Sequence, residues 1–207
     1  MRVVLIGVGG VEYSEKEYAP FRRFLHDVNV AGVISRDPQT WDNYQNDVPF
    51  CFPGVDCAFW VSDAYDPRGF ARNEYDLVSF CRSKEPKIFK NWPPRDIIRP
   101  YHFQSSANLS HLRKNMLISD SPYDYLTVYA NAHEVHTDLV HGAIASLVYG
   151  VPVKYYHDSP RSQVFQSFDE LTTDNEGFMQ ISESHREQKN LKCLHTFARY
   201  WNRYEYI

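Results

Sequence analysis

The sequence contains few cysteines. Cys51, Cys57, Cys81 and Cys193 are the four in 207 residues, and no two have C-x-x-C spacing, which removes the zinc ribbon. They read as reduced, mostly buried thiols of a cytosolic protein. Long apolar runs are missing as well. "MRVVLIGVGG" stays apolar for only about six residues before glycines break it, too short for a signal peptide or a membrane span. Neither charge is in strong excess: 26 acidic residues face 22 basic ones, for a net charge of -4. Nothing draws such a chain toward nucleic acid or an anionic membrane. The most basic stretch, "RSKEPKIFKNWPPRDIIRP" (82–100), is interrupted by prolines and acids and reads as a loop with a local positive field. There is no internal repeat and no low-complexity linker. These absences describe a soluble, cytoplasmic protein.

Apolar residues are plentiful, at 43% with 15% aromatic, enough for a real core. At this length the chain fits one domain, or one domain with an appendage. "RVVLIGVG" (2–9) is a β-branched run ended by glycines, the pattern of a strand buried on both faces of a parallel sheet. "EKEYAPFRRFLHDV" (15–28) places Phe21, Phe24, Leu25 and Val28 at helical spacing, and "VAGVIS" (30–35) is a second strand. In "DPQTWDNYQND" a helix begins where Asp37 can cap and Pro38 can occupy the first turn. "VDCAFWVS" (55–62) and "KIFKNW" (87–92) read as the third and fourth strands.

Beyond these, the pattern predicts a helix at 106–115, a strand at 116–119, a helix at 121–132 and a strand at 133–138. A helix at 139–149, a strand at 151–156 and a short helix at 161–168 follow. Residues 171–182 read as irregular. In the C-terminal stretch Leu191, Leu194, Ala198 and Trp201 recur at three- and four-residue steps, an amphipathic helix expected to pack on the body. Alternating strands and helices indicate an α/β fold with a single doubly wound, mostly parallel, Rossmann-like sheet. Residues 1–182 form the domain and 183–207 the helix. Ligands in such sheets bind at the carboxyl ends of strands, beside helix amino ends. Residues 7–10, 35–37 and 137–142 meet that description.

Each of the three sites has its own chemistry. "VVLIGVGGVE", with Arg36 closing the second strand, resembles an NADP-binding turn in which Arg36 holds a 2′-phosphate. Glu12 stands at the third glycine position, however, adding bulk and negative charge beside the expected anion. "HEVHTDLVH" brings His133, His136 and His141 close in sequence. On a strand, His133 and His136 point to opposite faces, so no metal site is expected from them. Thr137, Asp138 and His141 occupy a strand-to-helix junction, where free N–H groups and the helix dipole favour an anion and a histidine can move a proton. Arg36 could grip a phosphate or carboxylate from a different strand.

"VAGVISRDPQTWDNYQND" followed by "FPGVDCAFWVS", with Arg36, Asp37, Thr40 and Asp56-Cys57-Ala58-Phe59, resembles the polysaccharide pyruvyl transferase family. "HTDLVHGAIASLVYGVPVKYYHDSPRSQVF" resembles that family's second signature, and the likeness runs from about residue 2 to residue 168. It implies the donor-binding half of a GT-B-like enzyme that moves a pyruvyl group from phosphoenolpyruvate to a saccharide acceptor, in cell-surface polysaccharide biosynthesis. In that reading His141 is catalytic, and Arg36, Thr137, Asp138, Gly142 and Arg161 bind the donor. No metal and no cofactor are required. Leu139 stands where the family carries a donor-binding arginine, which leaves Arg161 and Lys90 as the basic residues able to replace it. The chain is expected to lack the family's preceding acceptor domain, and the acceptor side is then expected from a partner chain or a homodimer mate. A nucleotide-sugar-binding glycosyltransferase-like domain, a catalytically degenerate binding module and an NADP-dependent oxidoreductase are the alternatives.

Overall fold

The computed structural model of the chain describes residues 3–70, 74–92, 95–102, 114–157, 159–167 and 171–182, together with residues 184, 188, 191, 195 and 198. The sequence reading takes residues 1–182 as one body; by packing, the chain groups into two units. Unit 1 is Met1–Phe59, Asp158–Leu171 and Ser182–Ile207, and unit 2 is Trp60–His157 and Thr172–Ile181.

Unit 1 is built on three parallel strands, β1 (Val3–Val8), β2 (Val30–Ser35) and β3 (Cys51–Pro53), in that spatial order. Helix α1 (Glu15–Asp27) links the first two and α2 (Pro38–Tyr44) the next two. The start of α2 follows its local chemistry. The Asp37 side chain accepts from the Thr40 N–H at 2.7 Å, and Pro38 fills a first-turn position that needs no N–H. Tyr18, Leu25, Val30, Val33, Tyr44 and Val48 form the core. Tyr44 sets its ring edge-on to both Tyr18 and Phe21.

Unit 2 holds β4 (Tyr75–Ser79), β5 (Asp96–Pro100), β6 (Met116–Leu117), β7 (Val135–Thr137), β8 (Val153–Tyr155), β9 (Thr172–Thr173) and β10 (Met179–Gln180). They lie in the order β6-β5-β4-β7-β8-β10-β9. The first five are parallel, and β10 and β9 add an antiparallel edge. Among its described residues are the helices α3 (Val61–Ala64), α4 (Pro122–Ala130) and α5 (Val140–Val148). Helix α5 is buried along nearly its whole length, from Gly142 to Val148. Each large apolar side chain it buries, such as Ile144 or Leu147, contributes about 1.5–3 kcal/mol.

The α/β class and the mostly parallel strands agree with the sequence reading, but the strands fall into two sheets instead of one. Residues 55–62 are not a strand. Asp56 turns the chain there, accepting from the Ala58 N–H through its side chain and from the Phe59 N–H through its carbonyl, and a 3-10 turn follows (Cys57–Trp60). Residues 87–92 also form a 3-10 turn (Lys87–Asn91), opened by Pro86 with Ile88 facing solvent. The strands of this region are β4 and β5, where the sequence reading sees none. Residues 171–182, read as irregular, supply the β9–β10 hairpin, and residues 161–168 are mostly 3-10 (Pro160–Ser167). Of the helix expected at 106–115, residues 106–113 lie outside the described residues. In the C-terminal stretch the five described residues are helical, and Leu191 is exposed where the sequence pattern expects it to pack.

Candidate functional site

The strand order of unit 2 contains a topological switch point. From β4 the chain moves outward to β5 and β6, then returns to lay β7 on the other side of β4. The connections therefore diverge between β4 and β7, the switch point at which ligands bind in open α/β sheets. Ser79 and Thr137 are paired at the carboxyl ends of these strands, and α5 begins three residues beyond Thr137.

Each residue of that junction has a definite task. Thr137 is fully buried, donates its hydroxyl to the Ser79 carbonyl at 3.0 Å and accepts from the Leu139 N–H at 3.0 Å. Asp138, also fully buried, accepts from the backbone N–H groups of Cys81, Arg82 and Ser83 at 2.9, 2.8 and 2.6 Å. The Ser83 hydroxyl adds a fourth bond at 3.0 Å. Asp138 thus acts on the loop after β4, holding it beside the amino end of α5. Leu139 precedes α5 without capping it through its side chain, so the positive end of the helix dipole lies at the carboxyl ends of β4 and β7. His141 is exposed in the first turn, and Gly142 is buried directly behind it.

Behind this helix end lies a pair that sequence reasoning missed. The Tyr129 hydroxyl, wholly buried, meets His102 Nε2 at 3.1 Å, and the His102 ring lies tilted against Tyr125, centroids 4.8 Å apart. Burial lowers the His102 pKa, which keeps the ring neutral, and burial raises that of Tyr129. His102 sits two residues past the end of β5, so its signal was available only to a reading that recognised Asp96–Pro100 as a strand.

Lys90 belongs elsewhere in unit 2. It is exposed and lines a groove of about 490 Å³ with Arg95, Arg99 and Lys114. The Arg99 guanidinium in that groove is held by Glu85 at 3.0 and 3.1 Å.

Arg36 and Arg161 are residues of unit 1. Arg36 closes β2, and its guanidinium donates to Asp56 Oδ2 and to the Gly10 carbonyl, both at 3.2 Å. It lies so close over Gly9 that a Cβ there would overlap its Nε. Arg161 lies half-buried in the 3-10 turn whose Ser167 hydroxyl donates to the Arg36 carbonyl at 3.0 Å.

The first turn of unit 1, which the NADP reading needs for a pyrophosphate, already holds an anion from the chain itself. Val11, Glu12 and Tyr13 aim their backbone N–H groups at the Glu17 carboxylate, at 2.7, 3.0 and 2.8 Å. Partial burial raises the Glu17 pKa, and these three bonds outweigh that and lower it. The described cysteines are half-buried (Cys51, Cys81) or exposed (Cys57) where the sequence reading expects mostly buried thiols. Partial burial pushes the Cys51 thiol up to about 11 and raises those of Cys57 and Cys81, so none of the three is an activated nucleophile.

No described helix is long and apolar enough to cross a membrane. No family model matches the sequence, and no curated relative does either, so the pyruvyl transferase resemblance rests on its two motifs. Solved structures do match. UDP-GlcNAc 2-epimerase from Methanocaldococcus jannaschii is 11% identical with a TM-score of 0.54, over 94% of this chain and 70% of that one. A candidate UDP-N-acetylglucosamine 2-epimerase from Listeria monocytogenes is 15% identical with a TM-score of 0.54, over 94% of this chain and 65% of that one. At such identities the likeness speaks for architecture, and the architecture is a GT-B-like α/β fold.

Proposed function

We propose that this chain is a pyruvyl transferase-like domain of polysaccharide biosynthesis that holds an anionic donor at the amino end of α5. The observation that carries the reading is the position of that helix end. It has no side-chain cap and stands at the carboxyl edge of a parallel sheet, at the β4/β7 switch point.

Phosphoenolpyruvate is the donor that the motif resemblance favours. Its phosphate or carboxylate accepts from the first N–H groups of α5, and His141 exchanges the proton needed when phosphate leaves. Asp138 and Thr137 position: they fix the Cys81–Ser83 loop and the helix start, so the donor meets a rigid frame. Arg36 and Arg161 are added as donor-binding residues on the resemblance alone, and Lys90 only as a basic residue that could stand in for the arginine that Leu139 replaces. The acceptor is a saccharide, reached with a partner chain or a second copy, in the cytoplasm. A nucleotide-sugar donor is the second reading, favoured by the fold shared with UDP-GlcNAc 2-epimerases. The NADP reading loses support because Glu17 fills the turn it requires.

Calorimetric titration with phosphoenolpyruvate, UDP, CMP, GDP and NADP tests this, with His141→Ala and Arg36→Ala alongside. Phosphoenolpyruvate binding that weakens at least tenfold in His141→Ala is the expected result. A response to a nucleotide only moves the donor to a nucleotide sugar. Silence from all five ligands sinks the donor site and leaves a degenerate module.

A further inference from the structure

The opposite edge of the unit 2 sheet, at the amino ends of β4 and β7, carries a cluster that the donor site does not use. Asp76 is the second residue of β4 and is fully buried. His133 and Glu134 immediately precede β7, and the backbone ties them to β4. The His133 N–H donates to the Tyr75 carbonyl and the Leu77 N–H to the Glu134 carbonyl, both at 2.9 Å. One oxygen of each carboxylate is already pinned. Trp92 donates its indole N–H to Asp76 Oδ2 at 2.6 Å, and His136 Nε2 lies 2.8 Å from Glu134 Oε1. A carboxylate can only accept, so His136 carries its proton on Nε2 there, and its Nδ1 accepts from the Tyr156 hydroxyl at 3.0 Å.

The remaining oxygens converge on one nitrogen. Asp76 Oδ1 has no hydrogen-bond partner among the described residues, although it is buried. It lies 3.6 Å from His133 Nδ1, and Glu134 Oε2 lies 3.7 Å from the same atom. The three ligand atoms fall within 4.8 Å of one another. In a tetrahedral zinc site with bonds of about 2.0–2.2 Å, neighbouring ligand atoms stand about 3.3–3.6 Å apart. Two of the three separations thus need almost no adjustment.

We propose that Asp76, His133 and Glu134 bind a divalent transition-metal ion, zinc by ligand chemistry, which clamps β4 to β7. Two oxygens and one imidazole nitrogen leave a fourth position for water. Trp92 and His136 orient the two carboxylates, as outer-shell partners do in metal sites. The competing cation is Arg95, whose Nη1 stands 3.8 Å from Asp76 Oδ1. Its side chain is one-third exposed, so it can swing into solvent as the ion enters. Three histidines in one site were the pattern weighed from sequence; the geometry uses only His133 and brings two carboxylates to it.

The test is equilibrium dialysis of the full chain against zinc chloride with the bound metal counted, then cobalt(II) substitution read by visible absorption. One ion per chain with the intense bands of four-coordinate cobalt is expected. His133→Ala, at a residue 42% exposed in its side chain, should weaken binding by about 100-fold or more, at least the upper range for losing an outer-shell partner. Glu134→Gln keeps an acceptor for His136 and should weaken binding similarly while folding normally, as circular dichroism of the metal-free proteins would verify. Arg95→Gln should bind more tightly than the parent. The proposal is overturned by substoichiometric zinc in the parent, or by zinc that binds equally well to His133→Ala and Glu134→Gln.

Discussion

Gly142 lies against the hydroxyl of Tyr129: a Cβ on the glycine would come within 2.8 Å of that oxygen and 3.2 Å of the ring carbon that bears it. The glycine after His141 is therefore explained by packing. It lets the first turn of α5 settle on a buried tyrosine that also meets His102. Gly142→Ala should destabilise the fold by about 1–3 kcal/mol through overpacking, even though alanine is the better helix former. Urea unfolding measures this, and Tyr129→Phe in the same chain should restore part of the loss. A neutral Gly142→Ala would mean that the helix end can move.

The Glu17 carboxylate and the turn before α1 form a second closed unit. Its lowered pKa means that its contribution to stability is complete above 4.5, the ordinary value, and is lost as pH falls through the lower folded value. Glu17→Gln should reduce stability at pH 7 by about 1 kcal/mol, the usual worth of such a cap; the carboxylate is largely solvated, which keeps the effect small. The deficit against the parent should shrink below about pH 4. Denaturation of both proteins at pH 7 and pH 3.5 checks the sign.

Acid should weaken unit 2 sooner, through its histidines. Burial lowers the pKa of His136, against the opposing pull of Glu134, and burial lowers that of His102. A histidine with a lowered folded pKa leaves stability complete above its unfolded value of 6.5. Stability then declines as pH falls from there through the folded value, because the unfolded chain takes up the proton first. Melting temperature measured in the absence of divalent metal should fall from pH 7.5 to pH 5, and His102→Gln should flatten the slope. A slope unchanged in that variant would remove His102 from the account.

Asp138 accepts from the backbone N–H groups of Cys81, Arg82 and Ser83. Asp138→Asn keeps the size but replaces one acceptor oxygen by a donor, so at least one of the Cys81–Ser83 amides loses its bond. The expected cost is about 1–3 kcal/mol. Hydrogen exchange should quicken at Cys81, Arg82 and Ser83 and remain unchanged in β2 of unit 1. Uniform quickening would place the damage in global stability instead.

How far the sequence could be read depended on how local each signal was. The β-branched runs at Val3–Val8 and Val30–Ser35, the Asp37–Pro38 helix start and the helix at Val140–Val148 were all legible as elements, because caps, prolines and side-chain periodicity act within a few residues, although β1, expected to be buried on both faces, leaves Ile6 exposed. β4 was not: "YDLVS" is short and opens with a tyrosine and an aspartate, and its strand character comes from lying between β5 and β7. Residues 55–62 misled in the other direction, since their apolar run reads as a strand while Asp56 takes the local amides and turns the chain.

The candidate site divides in the same way. Sequence alone determined that Thr137, Asp138, His141 and Gly142 open a helix after a strand, because those residues are neighbours in the chain. Only the tertiary structure decided what stands around them: β4 beside β7, the Cys81–Ser83 loop on Asp138, and the buried Tyr129–His102 pair behind Gly142. The same holds for Asp76, which meets His133 and Glu134 across the sheet. These partners come from strands and loops far apart in the sequence, and parallel pairing sets their register through backbone bonds that carry no residue signature.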